Sequence, residues 1–244
     1  MNKKVGKMTL SMALAAVLAF APAQAFAAPA TDISGHWAEK VITQWQEKGL
    51  ISGYEDGTFK PDNSVTRAEF VIMLNKALGF TQKGNVTFSD VSANAWYYDA
   101  VAIAVEAGYC AGYEDGTFKP NATITRAEAA VMIAKAKELT ANTEAADKFA
   151  DASRIPAWAK GSIGAVSAAG FMTGRTDGTF DASNTITRAE AVSSLDRTME
   201  KEENEEVKDV VVTKDDTVIE GQTIEGNLII DKAVGDGEVY VNGL

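Results

Sequence analysis

Apolar positions along this chain fall into two helical stripes that recur three times. In the first unit Val41, Ile42 and Trp45 lie four, five and eight positions after Trp37. That is one face of a 3.6-residue period and predicts a helix with the tryptophan on the same face. In the third unit Ile163 and Val166 take the last two of these slots relative to Trp158. Gly49, Gly108 and Gly170 stand where a C-terminal glycine cap ends such a helix. A second helix opens at Thr66, Thr125 and Thr187, each followed three residues later by Glu69, Glu128 or Glu190. These are capping boxes, with the threonine oxygen taking an amide and the glutamate reaching back to the cap amide. The helix runs on through Phe70–Leu74 and Val131–Ile133. Between the two helices Gly53–Pro61 recurs nearly unchanged as Gly112–Pro120, an Asp-Gly turn with short extended flanks. From Val207 the pattern changes: Val210–Val212, Val218–Ile219, Leu228–Ile230 and Val239–Val241 are short strand candidates punctuated by glycines.

The spacing is constant. Trp37, Trp96 and Trp158 each precede Arg67, Arg126 and Arg188 by 30 residues. One structural unit is therefore used three times, and units of this size bury their apolar faces on their neighbours. Each unit opens with an aspartate (Asp32, Asp90, Asp151).

The threonine and glutamate of the Thr-Arg-Ala-Glu tetrad are explained by capping, and the arginine is not. It sits at the first helical position, where a cation meets the positive end of the helix dipole at a cost of about 0.3–1 kcal/mol. Two readings stand. One is capture of an anion, since a helix N-terminus favours anions through free amides and dipole, and a guanidinium adds a planar fork suited to a carboxylate. The other is a salt bridge to a neighbouring carboxylate, such as a repeat aspartate. The tryptophans also have two readings: core packing at a helix start, or a partly exposed ring offering its face to a sugar. His36 aligns with Ala95 and Ala157 and reads as a surface residue without a repeat role. One histidine and one cysteine supply neither a zinc site nor a Ser-His-Asp triad. The Asp-Gly loops lack the glutamate that an EF-hand needs six residues after its glycine, where Asn63, Ala122 and Asn184 stand. No catalytic set, metal site or cofactor is indicated, and the chain is expected not to be an enzyme.

Composition narrows the partners. Residues 1–27 read as a secretory signal peptide: Lys3, Lys4 and Lys7, an apolar stretch from Leu10 to Phe20, and small-residue cleavage sites at Ala23-Gln24-Ala25 and Ala25-Phe26-Ala27. Its removal takes the formal net charge from −11 to −14. That excludes nucleic acid and anionic lipid as partners, and any anionic ligand must be held by local cations. Cys110 aligns with Ile51 and Met172 and reads as a small buried hydrophobe.

Asp-x-x-x-x-Trp, Gly-Tyr-x-Asp-Gly-Thr-Phe-x-Pro and Ile-Thr-Arg-Ala-Glu together resemble the S-layer homology motif. They stand here as Asp32/Trp37, Gly53–Pro61 and Val65–Glu69; as Asp90/Trp96, Gly112–Pro120 and Ile124–Glu128; and as Asp151/Trp158, Gly174–Ala182 and Ile186–Glu190. The resemblance implies a mainly α fold: a pseudo-threefold trimer of motifs, built as a three-pronged spindle with a central helical bundle and grooves between units. It implies binding of pyruvylated secondary cell wall polymer on Gram-positive bacteria, with Arg67, Arg126 and Arg188 contacting the pyruvyl ketal. Trp37, Trp96 and Trp158 join them at the sugar, and Lys60 and Lys119 support the anion. Unit three departs from the pattern, with Arg175-Thr176 for Tyr-Glu and Asp181-Ala182 for Lys-Pro; Asp181 is expected to repel an anion, and the grooves that depend on unit three are expected to be weaker.

The expected organisation is a signal peptide (1–27), motifs at 31–86, 87–147 and 148–200, an acidic linker at 201–206 and a β-rich segment at 207–244. That last segment resembles the opening rungs of a β-solenoid, the start of a longer chain; a small appendage docked on the spindle is the alternative. The expected function is non-covalent anchoring of a secreted protein at the cell wall. The alternatives are an S-layer lattice protein that self-associates through 207–244, and the wall anchor of a longer hydrolase.

Overall fold

The computed structural model describes residues 30–203 and, beyond them, 210–212, 218–220, 228–230 and 240–242; side chains are described for 30–199. The signal peptide, the end of the acidic linker and the connections of the β-rich segment lie outside the described residues. The described part is mainly helical: α1 (Glu39–Glu47), α2 (Arg67–Ala77), α3 (Tyr98–Glu106), α4 (Arg126–Ala136), the one-turn α5 (Thr143–Ala146), α6 (Ala157–Ala168) and α7 (Arg188–Glu203). None of the described helices is long and apolar enough to cross a membrane.

Each unit contributes a first helix (α1, α3, α6) and a second (α2, α4, α7). The first helix ends as its glycine dictates. In unit one the amide of Gly49 (φ +68°) donates to Gln46 O and that of Leu50 to Trp45 O, closing a Schellman motif. One expectation fails. Trp37 is not on the buried face of α1, because the helix starts at Glu39 and the His36 ring accepts the Ala38 amide at 3.1 Å in the turn before it. Ile42 and Trp45 are buried while Trp37 is turned outwards. His36 is correspondingly half-buried, its ring tilted at 37° to that of Trp37 and bonded to Asp62.

The second helices carry the predicted capping boxes. Glu69 N donates to Thr66 Oγ1, and Thr66 N donates back to Glu69 Oε2 at 2.9 Å; Thr125/Glu128 and Thr187/Glu190 repeat this. The first two helical amides, unpaired within any helix, go to the next unit. Arg67 N and Ala68 N donate to Ala122 O and Pro120 O; Arg126 N and Ala127 N to Asn184 O and Ala182 O; Arg188 N and Ala189 N to Asn63 O and Pro61 O. These helix ends therefore hold no free amides for an anion, which removes that part of the sequence argument.

The chain of contacts closes on itself. Ile124 N donates to Val65 O, Ile186 N to Ile124 O and Val65 N to Ile186 O, at 2.9, 3.1 and 3.1 Å, and all three side chains are fully buried. Helix packing follows the same cycle: α2 on α3, α4 on α6, α7 on α1. Polar seams specify two of these contacts. Asn75 of α2 donates to Ala100 O and accepts from the Tyr109 hydroxyl, and Trp45 Nε1 of α1 donates to Asp196 of α7 at 2.7 Å. At the third, Ala134 takes the same position in α4, and Gly164 of α6 lies so close to the Asn142 carbonyl that no Cβ fits.

The repeat aspartates clamp their own loops. Asp32 accepts the amides of Phe59 and Lys60, both at 2.7 Å; Asp90 holds Phe118 and Lys119; Asp151 holds Phe180 and Asp181. Lys60, Lys119 and Asp181 have φ of +56°, +58° and +62°, a left-handed backbone that side chains rarely adopt and that these paired bonds stabilise.

Beyond the repeats, β1 (Val210–Val212) pairs in parallel with β3 (Leu228–Ile230), and β2 (Val218–Glu220) in parallel with β4 (Tyr240–Asn242).

Candidate functional site

Three grooves open between the units, and each draws on all three. The second groove is floored by unit two (Tyr113, Glu128, Met132, Lys135), with Arg67 from unit one and Trp158 from unit three, around about 640 Å³. The third is floored by unit three (Arg175, Glu190, Ser194, Arg197), with Arg126 from unit two and Trp37 from unit one, around about 420 Å³. The first is floored by unit one (Tyr54, Glu69, Met73, Lys76), with Arg188 from unit three and Trp96 from unit two, around about 220 Å³. A tryptophan thus meets an arginine that is not its own unit's, and periodicity alone could not reveal that pairing.

The tetrad arginines are buried, each 4% exposed. Arg67 Nε donates to Phe118 O at 2.9 Å, its NH1 pairs with Glu128 at 3.1 Å, and its guanidinium lies over the Tyr113 and Phe118 rings. Arg188 repeats this against Phe59 O, Glu69 and the Tyr54 and Phe59 rings. Arg126 donates to Phe180 O and Thr173 O but stands 3.6 Å from Glu190. The salt-bridge reading therefore has its partner, and it is the tetrad glutamate of the next unit, not a repeat aspartate. Glu69 and Glu128 each cap their helix with Oε2 and hold the arginine with Oε1, whereas Oε2 of Glu190 does both and its Oε1 pairs with Arg175. Burial opposes ionisation of Glu128, but the Tyr113 hydroxyl, the Thr125 amide and Arg67 outweigh it and hold its pKa below the usual range. Burial and the bond to Glu128 push the Tyr113 hydroxyl up to about 12.

The tryptophan rings are exposed, at 64% for Trp37, 67% for Trp96 and 62% for Trp158, so core packing is not their role. Lys119 lines the second groove and lies 4.1 Å over the Tyr113 ring. Lys60 lies 4.3 Å over the Tyr54 ring and pairs with Asp56, and it is not among the residues that line the first groove. Cys110 is buried in the wall of the second groove, and burial raises its pKa.

A further cation belongs to every groove and was not singled out from the sequence. Lys76, Lys135 and Arg197 each stand nine residues after the tetrad arginine and line the first, second and third grooves. The signal was present as a basic residue at one register in all copies. Chemically, each groove offers an immobilised guanidinium at its base, a second cation on its wall and an exposed aromatic face. These groups suit an acidic saccharide: charge for the acid and an aromatic ring for the apolar face of the sugar.

The S-layer homology domain model matches residues 31–71, 87–130 and 148–192, together more than half of the chain. The chain is 38% identical over 142 residues to the surface-layer 125 kDa protein of Lysinibacillus sphaericus, covering 58% of this chain and 12% of that protein. It is 32% identical over 161 residues to a cellulosome-anchoring protein of Acetivibrio thermocellus (62% and 36%), and 34% identical over 179 residues to the exoglucanase XynX of the same species (71% and 16%). It thus spans a minor part of the length of these relatives. On the strength of the three matched segments, this chain belongs to the S-layer homology domain family.

Proposed function

We propose that this chain holds a secreted protein on the bacterial cell wall by binding an acidic, pyruvylated wall polysaccharide in its inter-unit grooves. The relatives support the location, being named as surface-layer, cellulosome-anchoring and glucan-degrading proteins. The observation that carries the ligand is the pairing of a buried, pre-positioned arginine with an exposed tryptophan in every groove. The ketal carboxylate meets Arg67, Arg126 or Arg188, and the pyranose lies against Trp158, Trp37 or Trp96. Because neighbouring bonds already fix the guanidinium, little side-chain entropy is lost on binding. The chain itself performs no chemistry in this reading. Its three units form a three-pronged spindle, an arrangement supported by the closed cycle of backbone bonds at Val65, Ile124 and Ile186. Three weak grooves on one polymer-coated surface can raise avidity by about 10²–10⁴.

The test is co-sedimentation of the chain from residue 28 with Gram-positive sacculi, intact or stripped of polymer. Binding to intact sacculi alone supports the reading; equal binding to both, or to neither, refutes it. The surface-layer relative favours a second reading, a lattice protein in which residues 207–244 drive self-association. Assembly that rises with concentration and is lost on deleting 207–244 is its expected signature.

A further inference from the structure

The third groove differs in kind from the other two. At the position of Tyr54 and Tyr113 it has Arg175; at those of Ile72 and Val131, Ser193; at those of Met73 and Met132, Ser194. The apolar wall has become hydroxylic, and the aromatic under the lysine has become a guanidinium. Arg126, Arg175 and Arg197 line this groove together with Glu190, and Asp181, outside the lining, also pairs with Arg175. The second groove balances Arg67, Lys119 and Lys135 with Glu114, Asp115 and Glu128.

The charge in the third groove is held in place. Arg175 Nε pairs with Asp181 at 2.7 Å and its NH1 with Glu190 at 2.9 Å, while Arg197 donates to Phe171 O and Ser193 Oγ. Asp181 does not present a bare charge, because Arg175 and Asn184 hold it, and it lies outside the lining. The expectation that Asp181 repels an anion there thus loses its physical basis. Burial pulls the Arg126 pKa down and the adjacent Arg175 adds to the shift, with Glu190 and Asp181 opposing it; Arg126 and Arg175 share Glu190, and Arg175 also holds Asp181.

We propose that the third groove selects a dianionic sugar, specifically one bearing a phosphate monoester, whereas the first and second take a sugar with a single carboxylate and an apolar substituent. Three guanidiniums with serine and threonine hydroxyls match a tetrahedral oxyanion with three terminal oxygens. Met and Ile or Val beside a tyrosine match a smaller charge next to a methyl group. This inference rests on the reading that the grooves bind acidic glycans.

Each groove carries its own reporter, since Trp37, Trp96 and Trp158 line one groove each while Trp45 is fully buried. Indole N–H signals of ¹⁵N-labelled full chain, assigned by single Trp→Phe variants, are followed during titration with glucosamine 6-phosphate. The Trp37 indole is expected to saturate at a concentration at least about tenfold below any response of Trp96 or Trp158. The double variant Arg175→Tyr, Asp181→Lys, which restores the pair found in units one and two, is expected to raise that concentration at least about tenfold. An equal response of all three indoles, or none at Trp37, overturns the proposal. Inorganic phosphate is titrated separately, and binding as tight as that of the sugar phosphate overturns the assignment to a sugar-linked group. A third titration uses the pyruvyl ketal of N-acetylmannosamine. If it moves no indole, the glycan reading falls and the proposed contrast with the first and second grooves falls with it; if it moves Trp96 and Trp158 but the sugar phosphate leaves Trp37 still, only the present inference falls.

Discussion

Replacing each tetrad arginine by alanine should destabilise the fold unequally, with Arg126→Ala the mildest. In Arg67→Ala the Phe118 carbonyl loses its 2.9 Å donor and Glu128, only 18% exposed, loses its 3.1 Å partner. Removing one member of a buried ion pair costs about 3–5 kcal/mol. Glu128 keeps the Thr125 amide and the Tyr113 hydroxyl, which places the loss near the lower end, at about 3 kcal/mol. Arg188→Ala has the same geometry, with Phe59 O and Glu69 as the orphaned acceptors. In Arg126→Ala, however, Glu190 keeps Arg175 at 2.9 Å, so no carboxylate is left without a cation. What goes is the pair of bonds to the Phe180 and Thr173 carbonyls, so the loss should be smaller by about 1 kcal/mol or more. Urea denaturation followed by far-ultraviolet circular dichroism measures all three, with unchanged m-values required for the comparison. An Arg126→Ala loss equal to or larger than the other two would refute the argument that Arg175 backs up the pair. The same series also guards the binding experiments, because an arginine variant that binds no polymer has first to be shown folded.

Trp158→Ala should leave the urea midpoint unchanged within about 0.5 kcal/mol, since the ring is exposed, yet weaken binding in the second groove; co-sedimentation and denaturation together check it. Gly112→Ala should lose about 2–3 kcal/mol, because a Cβ would stand 2.8 Å from the Thr117 carbonyl and clash with the Phe88 ring at a φ of +70°; a midpoint within error of wild type would contradict that. Stability should fall in acid through the loop aspartates. Asp56, held by the Thr58 hydroxyl and Lys60, has its pKa lowered from 3.8 to about 2, and burial of Asp32 is outweighed by the Phe59 and Lys60 amides, which lower its pKa too. A depressed carboxylate contributes stability above its unfolded value and loses it as pH falls through its folded one. Thermal midpoints should therefore hold down to about pH 4 and drop between there and about pH 2, a drop that Asp56→Asn reduces.

The capping boxes, the glycine caps and the buried register of Cys110 were legible in the sequence because they depend on residues a few positions apart. The orientation of Trp37 was not, since its spacing fits the apolar stripe and only the late start of α1 takes it off that face. Nor was the arginine's partner legible: Glu128 lies 61 residues from Arg67, and Glu69 lies 119 from Arg188. Both distances follow from the cyclic order of the units, which a repeat count does not reveal. The repeat aspartates looked like candidates for that pairing because they recur, but their geometry serves the left-handed residue of their own loop. The cations at Lys76, Lys135 and Arg197 were visible as a register and became meaningful only once the grooves placed them.

The composite construction sets a minimum size for function. A chain with units one and two alone keeps Arg67 and the floor of the second groove but lacks Trp158; its first groove lacks Arg188, and its third lacks its floor. No groove is complete in any two-unit fragment, because each takes its arginine, floor and tryptophan from three different units. The fold loses its closure in the same step, since the Val65 amide has no acceptor once Ile186 is gone, and Arg188 no longer fills its place against Glu69. Affinity in such fragments should therefore vanish and not fall to two thirds. Unequal grooves fit the same logic: because every unit serves all three sites in a different role, Arg175 can change the floor of one groove without altering what its unit supplies to the others, namely Arg188 and Trp158.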